Sequence, residues 1–174
     1  MTGFGGRKIP GALTLGFYDS GDGRHARQLR GRGLGRGELW LEGDLLLQHE
    51  LPRAVVAERG AAHELADRFR QWFAGGADDF LDVALDLEGA TEFELALTEA
   101  LRRVPRGDVV TYAELAALAG RPRAQRAAGT FCARNRFSLV VPCHRVVGAD
   151  GIGSYGSLGV EYKRRLLELE GVAV

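Results

Sequence analysis

A chain of 174 residues that is 45% hydrophobic, with 23 basic side chains against 23 acidic ones, can bury a real core as one domain or two small ones and reads as a folded soluble protein. Its opening MTGFGGRKIP has no apolar signal region and no run approaches the ~20 apolar residues of a membrane span, so a cytoplasmic address without a membrane partner is expected. Two cysteines, Cys132 and Cys143, predict reduced thiols and no disulfide framework; with no CxxC and no ligand spacing among His25, His49, His63 and His144, no metal site is expected.

In chain order, Leu13, Leu15 and Phe17 alternate, as do Leu39 and Leu41, and then Leu81, Val83, Leu85 and Leu87, which is the period of half-buried strands. Between them Leu65, Phe69, Trp72 and Phe73 fall at helical spacing and are stopped by Gly75 and Gly76. Residues 1–88 are therefore expected to form a small α/β unit whose apolar stripes are core.

The second unit, residues 89–174, starts at the link EGATEFE, where Thr91 and Glu94 make a capping box. Phe93, Leu97, Ala100, Leu101 and Val104 line one helical face, closed by Pro105 and Gly107. Thr111 with Glu114 repeats the device and opens a helix expected to turn Leu115, Leu118 and Ala119 inward before Gly120. After RPR, a second short helix runs through AQRAAGTFCAR, and the pair suggests a helix-turn-helix. From Leu115 to Ala149 there is no acid, yet Arg121, Arg123, Arg126, Arg134, Arg136 and Arg145 all fall there, which suggests a polyanionic partner. The bland alternative is chance in a chain whose only lysines are Lys8 and Lys163. Asn135 breaks the helix, SLVV reads as a short buried strand delivering Pro142, Cys143 and His144, and the glycine-rich GADGIGSYGSLG leads to a last helix with Tyr162, Leu166 and Leu169 inward and Gly171 as its stop.

A thiol is a useful nucleophile as the thiolate, which cationic neighbours or a histidine base favour and apolar burial opposes. Cys143 has His144 and Arg145 beside it. On an extended segment adjacent side chains point apart, so His144 would reach the sulfur through a water or a turn. An isolated Cys-His pair is more often a small buried hydrophobe than a nucleophile. Glu170, in the last turn of its helix, faces the negative end of the helix dipole at a cost of ~0.3–1 kcal/mol; either it has a compensating partner, such as a histidine, or it is an exposed surface acid.

Taken together, VVPCHRVVG, RAAG upstream, Asn135 eight residues before the cysteine, VVTYAELA and KRRLLELEG resemble the O6-alkylguanine-DNA alkyltransferases. The resemblance is continuous over residues 91–171, and the first half fits only in its strand-and-helix pattern. It implies an α/β fold: an N-terminal ribonuclease-H-like α/β domain over 1–88, and a mostly helical C-terminal domain over 89–174 that binds DNA and accepts the alkyl group. Cys143 matches the acceptor thiol, His144 and Glu170 the pair that draws its proton through water, and Asn135 the hinge of the site. Tyr112 matches the tyrosine that helps rotate the nucleotide and protonate the leaving guanine. Arg126 matches the finger that fills the base stack; Ala127 and Gly129 are small residues on its helix, with Arg134 further along it. For the substrate pocket the resemblance implies Val146 through its carbonyl, Lys163, Cys132, and Tyr155 with Ser157 on the closing loop.

The implied partner is double-stranded DNA carrying O6-alkylguanine, with O4-alkylthymine a second candidate, bound through the minor groove without sequence preference by a monomer. The nucleotide is flipped out, no cofactor or metal is needed, and the stable thioether allows one reaction per molecule. The chain departs from the family pattern at Arg136 and Ser138, where prolines are common, at Phe131, where a small residue is usual, and at Cys132, often Met. Its loop after Tyr155 is one residue longer, so Gly156 competes with Ser157. The rivals are an alkyltransferase-like lesion binder, which lacks the acceptor cysteine; a thiol hydrolase or redox enzyme, with Cys132 as a poorly placed resolving thiol; and a transcription factor, which leaves Cys143, His144 and Glu170 unexplained.

Overall fold

The computed structural model describes residues 12–16, 36–53 and 64–173; Phe17, Lys8, His25 and His63 lie outside them. Strands β1 (Ala12–Gly16), β2 (Arg36–Glu42) and β3 (Leu45–Arg53) form an antiparallel sheet in that order. Gly43, at φ 59°, opens the two-residue turn between β2 and β3, a backbone region that favours glycine. Leu39 and Leu41 of β2 are buried as their alternation predicts. The third strand was not legible, because LLLQHELPR has no two-residue period. The register shift opposite Trp40 and Leu41 explains this: it reverses the parity of β3, so that Leu46 on one side of it and His49 and Leu51 on the other are all buried.

The alternation from Leu81 to Leu87 does not make a strand. Asp78 and Asp79 accept from the backbone N–H groups of Phe80 and Leu81, curling the chain, and Leu81 is exposed. The carbonyls of Phe80, Leu81 and Val83 are taken by the guanidinium of Arg102 at 2.7, 2.8 and 3.0 Å. Only Leu85 pairs, in an isolated parallel bridge to Leu46.

Helix α1 (Glu64–Phe73) buries Leu65, Ala66, Phe69 and Trp72 and ends before Gly75, at φ 97°. Helices α2 (Glu92–Arg102) and α3 (Tyr112–Leu118) each carry the complete capping box, Thr91 with Glu94 and Thr111 with Glu114. In α3 the buried residues are Leu115 and Ala116, and Leu118 faces outward. Three residues at 100° each carry Leu118 60° off the Leu115 direction, on the side away from Ala116 and Ala119. Helix α4 (Gln125–Arg134) packs on α3, burying Ala128, and stops at Asn135. Helix α5 (Val160–Leu169) buries Lys163, Leu166 and Leu167, so Tyr162 and Leu169 sit at the edge of its inner face.

The expected strand at SLVV is a turn: Val140 N donates to Ser138 O at 3.0 Å, Val141 N to Phe137 O at 2.7 Å and Cys143 N to Val141 O at 2.7 Å, with Leu139 at φ 70°. Its apolar side chains are buried, but its N–H groups bond locally, so no ladder forms. Cys143–Arg145 is a 3₁₀ turn followed by β5 (Val146–Val147), which pairs in parallel with β4 (Val110–Thr111). One hydrophobic cluster runs from Leu39 of β2 through Trp72 and Leu101 to Leu166 of α5. Among the described residues no helix is long and apolar enough to cross a membrane.

Candidate active site

The β4–β5 pairing sets the site, since β5 follows the Cys143–Arg145 turn directly and β4 runs straight into Tyr112 at the start of α3. Asn135, at the end of α4, ties the turn from the other side. Its Nδ2 donates to Val141 O at 2.7 Å, and its Oδ1 accepts from Phe137 N at 2.9 Å. Cys143 is buried, and burial pushes its thiol pKa up against the pull of hydrogen bonds with Asn135, Ser138 and Tyr155 and the charge of Lys163. At neutral pH it rests as a thiol and needs a base.

The next residue along the chain, His144, is firmly placed. His144 is fully buried, with Nε2 3.0 Å from Glu170 Oε1. Glu170 also accepts from Arg145, from Nε at 2.9 Å and from Nη2 at 2.7 Å, while Arg145 Nη1 donates to Val104 O at 2.6 Å. Burial alone would raise the Glu170 carboxyl, but the bonds from His144 and Arg145 outweigh it and leave the pKa lowered to about 2. An ionised carboxylate only accepts, so Nε2 of His144 is its N–H and Nδ1 carries the lone pair; Nδ1 is buried with no hydrogen-bond partner among the described residues. Burial holds His144 below the ordinary histidine range in spite of Glu170, so the ring is neutral and able to take a proton. Trp72 of α1 packs edge-on against it, with ring centroids 5.9 Å apart.

Lys163 is buried on α5 and clasps the following loop: Nζ donates to Val146 O at 2.5 Å and Ile152 O at 2.6 Å. Beside the thiol lies a cleft of about 40 Å³ lined by Tyr112, Gly129, Cys132, Ala133, Cys143, Ser154, Tyr155 and Gly156. That is room for no more than a few waters. Burial raises the phenol pKa of Tyr112, keeping it a proton donor, and pushes the Cys132 thiol up to about 12, keeping it protonated. A larger open cleft of about 590 Å³ between Ala100 and Leu118 is lined by neither cysteine nor histidine; its charged side chains are Arg103 and Asp108. Among the described residues the one acidic cluster with ligand atoms within 4.8 Å is Asp78, Asp79 and Asp82, and Arg68 pairs with Asp78 and Asp82.

This arrangement has known counterparts. Residues 92–172 match the family described as the 6-O-methylguanine DNA methyltransferase DNA-binding domain. The chain is 41% identical over 123 residues to a methylated-DNA–protein-cysteine methyltransferase of Methanosarcina acetivorans, covering 70% of this chain and 77% of that one. The chain belongs to the methylated-DNA–protein-cysteine methyltransferase family. A Methanothermobacter thermautotrophicus member is 40% identical over 114 residues, a match that spans 66% of this chain and 64% of that member's length. The structure of Mycobacterium tuberculosis OGT in complex with DNA superposes with a TM-score of 0.68 at 34% identity, covering 79% of this chain and 88% of that one.

Of the residues this family resemblance singles out, Cys143, Tyr112, Gly129, Cys132 and Tyr155 share the cleft, and His144, Glu170 and Asn135 brace it from behind. Ser157 does not line it; it is exposed on the 3₁₀ turn Gly156–Leu158, and Gly156 takes the lining place. Val146 is fully buried and its carbonyl is held by Lys163. Arg126, Ala127 and Arg134 are exposed on α4. Of the two readings of Glu170, the one with a histidine partner holds, and the surface-acid alternative falls away. One expectation is corrected: Arg145 is not part of a basic surface but the buried second partner of that carboxylate. Arg136 bonds to Asp86 O at 2.6 Å and lies over Phe137 yet stays exposed, so the exposed set is Arg121, Arg123, Arg126, Arg134 and Arg136. Ser138, Ser154, Ala133 and Trp72 were missed. For Arg145 a signal existed, a charge set in the apolar run VVPCHRVV; for Trp72, seventy-odd residues away, none did.

Proposed function

We infer that this protein repairs DNA by moving an alkyl group from guanine O6 to Sγ of its own Cys143. The observation that carries the reading is the buried Glu170–His144 pair, which leaves a neutral imidazole with Nδ1 as acceptor one residue from a buried thiol. His144 draws the thiol proton through a water, and the thiolate attacks the alkyl carbon in line. The S–C bond forms as the C–O6 bond breaks, the electron pair stays on O6, and guanine is released with one proton, which the Tyr112 hydroxyl helps deliver. The thioether has no route back to a thiol, so each molecule reacts once.

A base inside the duplex must be flipped out to reach this sulfur, at a cost of a few kcal/mol that Arg126 offsets by filling the stack. The α3–α4 pair acts as the helix-turn-helix, with α4 in the minor groove, where Ala127 and Gly129 let the backbone approach and Arg134 adds charge. A cleft of about 40 Å³ admits no nucleobase, so it widens on binding, most simply through the loop carrying Tyr155 and Gly156. Lys163 keeps that loop tied to β5, and Val146 presents its backbone to the base. On this reading residues 1–88 are a ribonuclease-H-like support and 89–174 the working domain of a cytoplasmic monomer, and double-stranded DNA carrying O6-alkylguanine is the substrate. Intact and peptide mass after incubation with an O6-methylguanine duplex tests it: one methyl group per chain, on the Cys143 peptide, is expected. Repeated turnover with excess substrate, or the methyl group on Cys132, overturns it.

A further inference from the structure

The sulfur has a second polar neighbour that the proton relay does not use. Ser138 Oγ lies 4.0 Å from Cys143 Sγ, at the outer range of a sulfur hydrogen bond. Its backbone is pinned from two directions. Within the turn, Val140 N donates to Ser138 O at 3.0 Å, and from β3 the buried His49 bonds the same carbonyl through Nε2. The His49 backbone N–H also donates to Arg136 O at 3.0 Å, so the stretch that carries Ser138 is laid against β3.

The remaining groups around the sulfur are mostly committed. Asn135 Nδ2 donates to Val141 O, and Lys163 Nζ to the carbonyls of Val146 and Ile152. Cys132 of α4 stays a thiol, Tyr112 of α3 faces the cleft, and His144 is turned to Glu170. The Tyr155 hydroxyl is buried beside the thiol and Ser138, and Ser138 supplies the second hydroxyl at hand. A hydroxyl rotates freely and can accept or donate, and a donor bond to an anion is about twice as strong as one between neutral groups.

We propose that Ser138 is a catalytic residue of this site, its hydroxyl accepting from the Cys143 thiol at rest and turning to donate to the thiolate formed during transfer. The proposal rests on Cys143 being the alkyl acceptor. It gives the serine a chemical task that a proline at this position cannot perform, since proline has no side-chain donor.

Ser138→Ala and Ser138→Thr test it, the first removing the hydroxyl and the second keeping it. Two rates are followed against pH: alkylation of Cys143 by iodoacetamide, read on its own peptide, and single-turnover methyl transfer from an O6-methylguanine duplex. For Ser138→Ala the rising limb of both profiles is expected to move up by about one unit, with both rates at neutral pH about tenfold lower. Ser138→Thr keeps the native limb, and DNA affinity is unchanged in both. A Ser138→Ala profile that superposes on the native one overturns the proposal, as does a Ser138→Thr profile displaced as far as that of alanine. Should the native protein react with iodoacetamide but take no methyl from DNA, the repair reading fails, while the iodoacetamide profiles still decide the role of Ser138.

Discussion

Glu170 serves two donors with one carboxylate, the neutral imidazole of His144 and the guanidinium of Arg145, and that double duty decides what its replacement does. Glu170→Gln removes the charge that stabilises a protonated His144, so methyl transfer at neutral pH is expected to slow by about 10- to 100-fold, with the thiol limb of the pH-rate profile moved upward. The same change leaves Arg145 buried without a counterion, at a cost of ~3–5 kcal/mol. The two effects separate when the rate is measured well below the variant's own Tm; a pH-rate profile matching the native protein there would exclude the relay. Arg145 does not substitute for the relay, because its guanidinium is spent on Glu170 and the Val104 carbonyl. Cys143→Ser, by contrast, is expected to abolish transfer and keep DNA binding, since Arg126 and Arg134 lie elsewhere; a filter or anisotropy titration reads this, and its affinity should fall as salt rises.

The α4 helix offers a test that distinguishes a DNA-facing element from ordinary packing. Gly129 sits in its middle, and a Cβ there would meet only Tyr112 Cδ1 at 3.9 Å, an ordinary contact. Gly129→Ala is therefore expected to stabilise the folded protein by ~0.5–1 kcal/mol, seen as a higher Tm, because alanine is the better helix former. If α4 lies against DNA, the same methyl group weakens duplex binding. Higher stability with unchanged affinity would mean that the glycine serves no approach to DNA. The capping boxes were legible because their bonds are local, three residues apart, whereas the turn at SLVV and the bulged β3 were not. An apolar run reports burial, but whether its N–H groups find a neighbouring strand depends on chain that is distant in sequence.

Across the whole molecule the site is held by contacts between the two halves of the sequence: Trp72 against His144, His49 on Ser138, and Arg136 on Asp86. The buried ion pair makes stability depend on acid. Glu170 has its pKa lowered to about 2 in the folded state, against ~4.3 for an unperturbed glutamate in the unfolded chain. Its contribution is thus complete above about pH 5 and is lost as pH falls toward 2, amounting to roughly 3 kcal/mol. Unfolding followed from pH 6 to 2 should show this loss in the native protein, and Glu170→Gln should show a flatter profile over the same range. Equal acid sensitivity of the two would place the destabilising protonation elsewhere.

The order of chemistry along the chain was determined by sequence alone: a capped helix pair, a Pro-Cys-His-Arg motif, a glycine-bearing loop and a helix ending in an acid. Each is a local pattern, written in propensity, capping and spacing; the helices formed as their residues predict, while the Pro-Cys-His-Arg segment, expected at the end of a strand, is a 3₁₀ turn. The misfit of Glu170 with its helix dipole left two readings, a compensating partner or a surface acid. Only the tertiary structure decided between such readings, turned Arg145 inward to share the carboxylate, and set Ser138 beside Cys143 and Trp72 beside His144. The physical reason is range. Hydrogen-bond geometry within a turn is set by neighbours a few residues away, but desolvation of a buried charge and the position of a second hydroxyl near sulfur depend on which distant surfaces the core brings together.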